Sequence, residues 1–152
     1  MIPVSPKRLF RALFIAELHM AGTCRMHVIK LRRPWDRTVD LEQPPVVVDV
    51  PDAIPLTATS ISAGDQVRYQ RGFNSPSGLA GADAICLCVG AWQGKLESVQ
   101  VNGTVFSPAH APLVVDLSKI LEGFNRIEIT LTSESGEVPC LTGDVVLRIQ
   151  ED

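Results

Sequence analysis

Three histidines, four cysteines and two tryptophans are among the rarest side chains of this 152-residue chain with any capacity for chemistry. A nucleophilic hydrolase would need a serine or cysteine beside a base. His19, His27 and His110 supply three imidazoles, but no Gly-x-Ser-x-Gly elbow accompanies them. A zinc centre would need four converging ligands with paired spacing, and neither CxxC nor HxxxH occurs, so no metal is expected. Cys86 and Cys88 alternate with Ile85, Leu87 and Val89, which puts both thiols on one face of a strand. Neighbours at i and i+2 have Cβ atoms nearly 7 Å apart, too far for easy bridging, so they read as free, buried, structural thiols. No phosphate-binding or dinucleotide glycine pattern is present, and no cofactor is expected.

The elements that must position these groups are strands. Val99 and Val101 lead into Asn102-Gly103, the strongest short hairpin signal, since a type I′ turn needs φ > 0 at both central residues. A short strand and a Pro-bounded loop follow, then a strand ending in Asp116 and one helical turn. An oxygen of Asp116 or Ser118 is placed to cap that turn, and Gly123 is expected to end it as a left-handed residue. Ile127, Ile129 and Leu131 alternate in the next strand, and Val145, Leu147 and Ile149 in the closing one. Ala84 to Val89 is almost wholly apolar, which predicts a central strand covered on both faces. Gln66 to Phe73 alternates, and Asn74 to Gly78 is a turn cluster. Val46 to Val50 has the composition of a buried strand, but Pro44, Pro45, Pro51 and Pro55 around it predict an edge or a wrapping loop. Trp35 reads as a core or rim aromatic rather than a ligand platform.

These elements predict an all-β fold, an antiparallel β-sandwich, over residues 26–152. Residues 1–25 have a different composition, with Lys7, Arg8 and Arg11 among Leu9, Phe10, Leu13, Phe14, Ile15 and Leu18. They predict a short N-terminal helix, starting near Ser5-Pro6 and far too short to span a bilayer. Three readings stay open: an extension upstream of a start at Met20 or Met26, a helix packed on the domain, or an export signal. The first is favoured, so the segment is expected to be dispensable and the protein cytoplasmic, with no membrane partner. Composition excludes further classes. A net charge of −3 with no basic stripe, and 5% aromatics, argue against a nucleic-acid surface.

Parity of the strands then predicts a binding surface. Successive antiparallel strands reverse direction, so the connecting loops alternate between the two ends. With 84–89 pointing up, loops 90–94, 107–112 and 133–143 gather at the top, and the Asn102 turn and 117–123 at the bottom. Trp92, His110, Glu134 and Glu137 therefore share one end, roughly 25 Å from Asn102 along a seven-residue strand. Trp92, His110 and Glu134 are the candidate ligand-binding residues, an aromatic face beside polar groups suiting a sugar ring. The alternatives are that Trp92 folds over the rim as core and that His110 is an exposed loop imidazole. The grouping requires 104–107 to be a strand of its own.

Tyr69-x-Arg71-x-Phe73-x-x-Pro76, a buried strand, Val99-x-Val101-Asn102-Gly103, Asp116-Leu117-Ser118 and Leu121-x-Gly123-x-Asn125-x-Ile127 follow one another in this order. The series resembles the N-terminal sugar-binding domain of glycoside hydrolase family 2 enzymes, over about residues 66–132. Leu31, Pro34 and Trp35 are similar to the Leu-x-Gly-x-Trp start of such domains. The resemblance implies a galactose-binding-like jelly roll. The family usually carries a Gly- and aromatic-rich stretch after the Asn-Gly turn; here Phe106 is the only aromatic between Thr104 and Pro112. The barrel carrying the family's two carboxylates has no counterpart in these residues, so no catalytic residue is carried over and the chain is not expected to be an enzyme. Two functions remain: a non-catalytic module binding a carbohydrate or other small ligand, and a structural domain docking a protein partner.

Overall fold

The computed structural model describes residues 25–39, 42–52, 61–76, 82–107 and 110–151. Ten strands make up its regular structure: β1 (Arg25–Lys30), β2 (Trp35–Thr38), β3 (Val46–Val48), β4 (Gln66–Asn74), β5 (Ala82–Val89), β6 (Lys95–Val101), β7 (Thr104–Phe106), β8 (Leu113–Asp116), β9 (Phe124–Thr132) and β10 (Val145–Glu151). They form two antiparallel sheets, in the orders β1-β10-β5-β8 and β3-β2-β4-β9-β6-β7. No helix long and apolar enough to cross a membrane occurs among the described residues.

Period-2 alternation explains how the sheets stack. Val67, Tyr69 and Phe73 of β4, Val99 and Val101 of β6, and Ile127, Ile129 and Leu131 of β9 all point inward and are buried. They meet Ile85, Leu87 and Val89 of β5 and Val145, Leu147 and Ile149 of β10 in one continuous core. β5 lies inside its sheet and is buried on its other face too, where Ala84, Cys86 and Cys88 cluster with Val146. Its unbroken apolar run is thus accounted for. Cys86 and Cys88 share that face with their sulfurs 3.8 Å apart and unbridged.

The Asn102-Gly103 turn joins β6 to β7 with φ of 51° and 85°. A Cβ built on Gly103 meets nothing within 4 Å, so a side chain there is opposed only by backbone conformation. Gly103→Val should therefore cost on the order of 1–3 kcal/mol in urea unfolding, and Gly103→Asn much less, because Asn tolerates the left-handed region. Equal stability for the valine and asparagine variants would refute this account.

The structure corrects one expectation and bears out another. Gly123 is not among the positive-φ glycines. The turn after β8 is closed by hydrogen bonds from Ile120 and Leu121 to the Leu117 carbonyl, and Asp116 Oδ1 accepts from Ser118 N at its start. Its far end is held by the Asn125 side chain, whose Oδ1 accepts from Glu122 N at 2.8 Å, so a left-handed glycine is unnecessary. Of Val46 to Val50 only Val50 is buried; Val46 and Val47 are 55% and 49% exposed on β3, the edge strand that the prolines predicted. The flanking prolines described the location better than the apolar composition did. The helix expected within residues 1–25 lies outside the described residues except for Arg25, which begins β1 opposite Glu151.

Candidate functional site

Loop 90–94 is fastened to the segment that precedes β10. Gln93 and Cys140 exchange backbone hydrogen bonds at 2.8 and 3.2 Å, and Gln93 Nε2 donates to the Val138 carbonyl at 2.7 Å. The Ala91 carbonyl accepts from Thr142 N and Gly143 N. Gly94 has φ of +90°, and a Cβ there would sit 2.9 Å from the Thr132 carbonyl. A close approach of two backbones thus sets where Trp92 emerges. The indole is half-buried and packs against the core, as the rim reading expected.

β7 is a separate strand, so the parity condition is fulfilled. Trp92, His110 and Glu134 line one cavity of about 290 Å³, with Gly94, Lys95, Leu96 and Ala111. His110 is exposed, as is Glu134. Lys95 was not singled out from the sequence; as the first residue of β6 it follows loop 90–94 directly, so the same parity places it at this end. Its ammonium lies 3.6 Å from Glu97, an exposed pair of small energetic weight that leaves it available to a ligand.

Glu137 does not line the cavity. Its Oε1 accepts from Ser133 Oγ, Glu134 N and Ser135 N, each at 2.8 Å, and Gly136 N donates to Ser133 Oγ. The backbone donation from Ser135 first, then the Ser133 hydroxyl, holds the carboxyl below its usual range. The carboxylate therefore organises the turn that presents Glu134. That contribution is complete above the ordinary carboxylate range and is lost as the pH falls through the lowered value.

Asn102 lies at the opposite end, within a hydrogen-bonded knot with Asn125 and Ile120. His27 is on β1 with Glu151 Oε2 at 3.2 Å, away from the cavity. Among the described residues no three His, Cys, Asp or Glu side chains converge as a metal centre requires. The hydrogen-bonding contact with Cys88, then burial, keeps the Cys86 thiol protonated, which suits a structural role.

No family model and no curated protein sequence matches the chain. Solved structures do. The FMN-binding β-glucuronidase from Facaelibacterium prausnitzii L2-6 matches with a TM-score of 0.64 and 20% identity, covering 82% of this chain and 22% of that one. The Bifidobacterium dentium β-glucuronidase complexed with coumarin-3-O-glucuronide gives 0.65 and 17%, covering 83% and 30%. The Ruminococcus gnavus β-glucuronidase gives 0.64 and 18%, covering 85% and 28%. The chain thus spans less than a third of the length of these neighbours. The neighbours are family 2 glycoside hydrolases, and a match of this extent is that of one domain; the likeness is one of fold.

Proposed function

We propose, from a sandwich shared with one domain of bacterial β-glucuronidases, that this chain is a non-catalytic module that binds a carbohydrate at the Trp92 end. The supporting observation is the cavity itself. It combines the half-buried indole of Trp92 with Lys95, His110 and Glu134, one apolar face with donors and an acceptor around it. A sugar ring has that duality, with an apolar C–H face and a periphery of hydroxyls. A volume of about 290 Å³ lies at the lower edge of small-molecule sites, which fits a monosaccharide or the end of a chain. The cavity is partly open to solvent, so affinity should be millimolar, about −4 kcal/mol.

Glucuronic acid is the first compound to test, because one structural neighbour is complexed with a glucuronide. Neutral hexoses and disaccharides come next, each followed by Trp fluorescence and amide shifts. Trp92→Ala should weaken binding at least tenfold, with Trp92→Phe and Glu134→Gln intermediate. Shifts clustering at Asn102 and Asn125 would put the site at the wrong end. Turnover of an aryl glycoside that survives repurification would defeat the non-catalytic reading.

The alternative is a docking domain, favoured by exposed Val46 and Val47 on the β3 edge. An edge strand offers unpaired backbone groups to another chain. Saturating sugar with no shift anywhere would favour it.

A further inference from the structure

β4 sends Val67, Tyr69, Arg71 and Phe73 to the inner face of its sheet, and Arg71 is the only cation in that row. Its neighbour on β9 is the fully buried Ile127. On the other side, the register pairing Asp36 with Gln70 brings Trp35 beside it. The guanidinium carbon lies 5.9 Å from the centroid of the Trp35 ring. That ring is fully buried and pinned by its own N–H, which donates to the Leu31 carbonyl at 2.7 Å.

An aromatic face attracts the charge but offers no lone pair to an N–H. Nε and Nη1 of Arg71 are both shielded, and neither has an acceptor among the described residues. The two other arginines of this sheet that are not exposed differ. Arg37 Nη1 meets Asp52 Oδ2 at 2.5 Å, and Arg68 Nε lies 3.6 Å from Glu128 Oε1. Among the described residues only Arg71 of these three has no carboxylate; Arg126, the fourth arginine of the sheet, is exposed to solvent. Burial without a counter-charge pulls its pKa below the usual arginine range. Buried charges in proteins are ordinarily paired, and the planar guanidinium fork matches carboxylate and phosphate oxygens. Arg71 is only half-buried as a residue and its Nη2 is not among the shielded atoms, so that end of the fork is within reach of a small solute.

We propose that Arg71, stacked on Trp35, is a binding group for a small oxyanion, the carboxylate or phosphate of a ligand, at a site distinct from the Trp92 cavity. The two sites are separated along β9. Arg71 lies beside Ile127 and Lys95 beside Thr132, five residues apart and so roughly 17 Å at the rise of a strand. A fixed ring behind the guanidinium leaves its N–H edge as the binding element. One arginine fork suits a single oxyanion group better than an extended polyanion.

The test uses the full chain carrying Trp92→Phe, which leaves Trp35 as the only tryptophan. Sodium phosphate and sodium acetate are titrated separately against sodium chloride at matched ionic strength. Trp35 emission and the Arg71 Nε–Hε resonance are followed together. The proposal expects a saturable change in both signals with phosphate or acetate, and none with chloride. Arg71→Lys should weaken the midpoint at least tenfold, because an ammonium keeps the charge but lacks the fork. Arg71→Gln should abolish the response. Response to both anions indicates recognition of a shared oxyanion geometry, and response to one assigns the ligand class to it. An unsaturable drift equal to that with chloride would overturn the proposal, as would a midpoint unchanged in Arg71→Lys. The resonance in the chain with native Arg71 decides the matter even if Arg71→Gln fails to fold: no shift at saturating concentrations of either anion refutes the site.

Discussion

Asp52→Ala is expected to destabilise the domain by about 3–5 kcal/mol, because it leaves a buried guanidinium without its counter-charge. Asp52 and Arg37 are 5% and 8% exposed and join through Oδ2 and Nη1 at 2.5 Å. The same Oδ2 accepts from the Tyr69 hydroxyl at 2.8 Å, and that hydroxyl oxygen accepts from Leu141 N at 3.4 Å. Burial, then the hydrogen bond to Asp52, drives the Tyr69 pKa far upward, so the phenol remains a donor at every accessible pH. Domains of this size have about 5–15 kcal/mol of stability in all, so one substitution could consume much of it. Urea unfolding at constant m-value would measure the loss. Arg37→Met combined with Asp52→Leu should recover only part of it, since the apolar pair carries no charge to desolvate but leaves the Tyr69 hydroxyl without its acceptor. A single Asp52→Ala variant within 1 kcal/mol of the native chain would show that solvent reaches Arg37 and that the triad has little weight.

That triad was invisible in the sequence, and the reason is physical. Asp52 stands among prolines, 15 residues from Arg37 and 17 from Tyr69. Nothing local distinguishes it from a solvated loop carboxylate. Features with a local cause were legible instead. Asn102-Gly103 needs φ > 0 twice, and Ile127, Ile129 and Leu131 alternate because a pleat has period 2. The grouping of Trp92, His110 and Glu134 was also legible, because parity converts strand count into position without any knowledge of contacts. Lys95 follows from the same parity but reads first as the start of a strand. Glu137 shows where parity stops: it was placed at the correct end, yet only three donors converging on one oxygen reveal that it builds the turn instead of lining the cavity. Gly123 failed for a related reason. A left-handed glycine is the common way to end a helical turn, but a side chain from the next strand performs the task here.

That side chain supports the second large effect. Asn125→Leu should cost about 3–4 kcal/mol, more than removal of any one hydrogen bond would suggest. Asn125 is fully buried at the start of β9. Its Oδ1 accepts from Glu122 N and from Asn102 Nδ2, both at 2.8 Å. Its Nδ2 lies 3.0 Å from the Glu122 carbonyl and 3.1 Å from Ser75 Oγ, with the Phe73 carbonyl at 3.4 Å. One amide thus joins the end of β4, the helical turn and the β6–β7 hairpin. Leucine matches it in size but satisfies none of these groups, and each buried orphan costs about 1–3 kcal/mol. The penalty should exceed that of Asn102→Ala, since Asn102 is partly exposed and water can replace some of its bonds. Asn125→Asp separates hydrogen bonding from shape. A carboxylate would face the Glu122 carbonyl, so the neutral acid is the favoured form and the folded pKa should lie above the unfolded one. Its stability contribution is then present at low pH and lost as the pH rises through the folded value. Urea midpoints of Asn125→Asp should accordingly climb, relative to the native chain, as the pH falls from neutral into the carboxylate range. A difference between the two proteins that stays constant across that range would mean water enters the knot and the amide is not its hub.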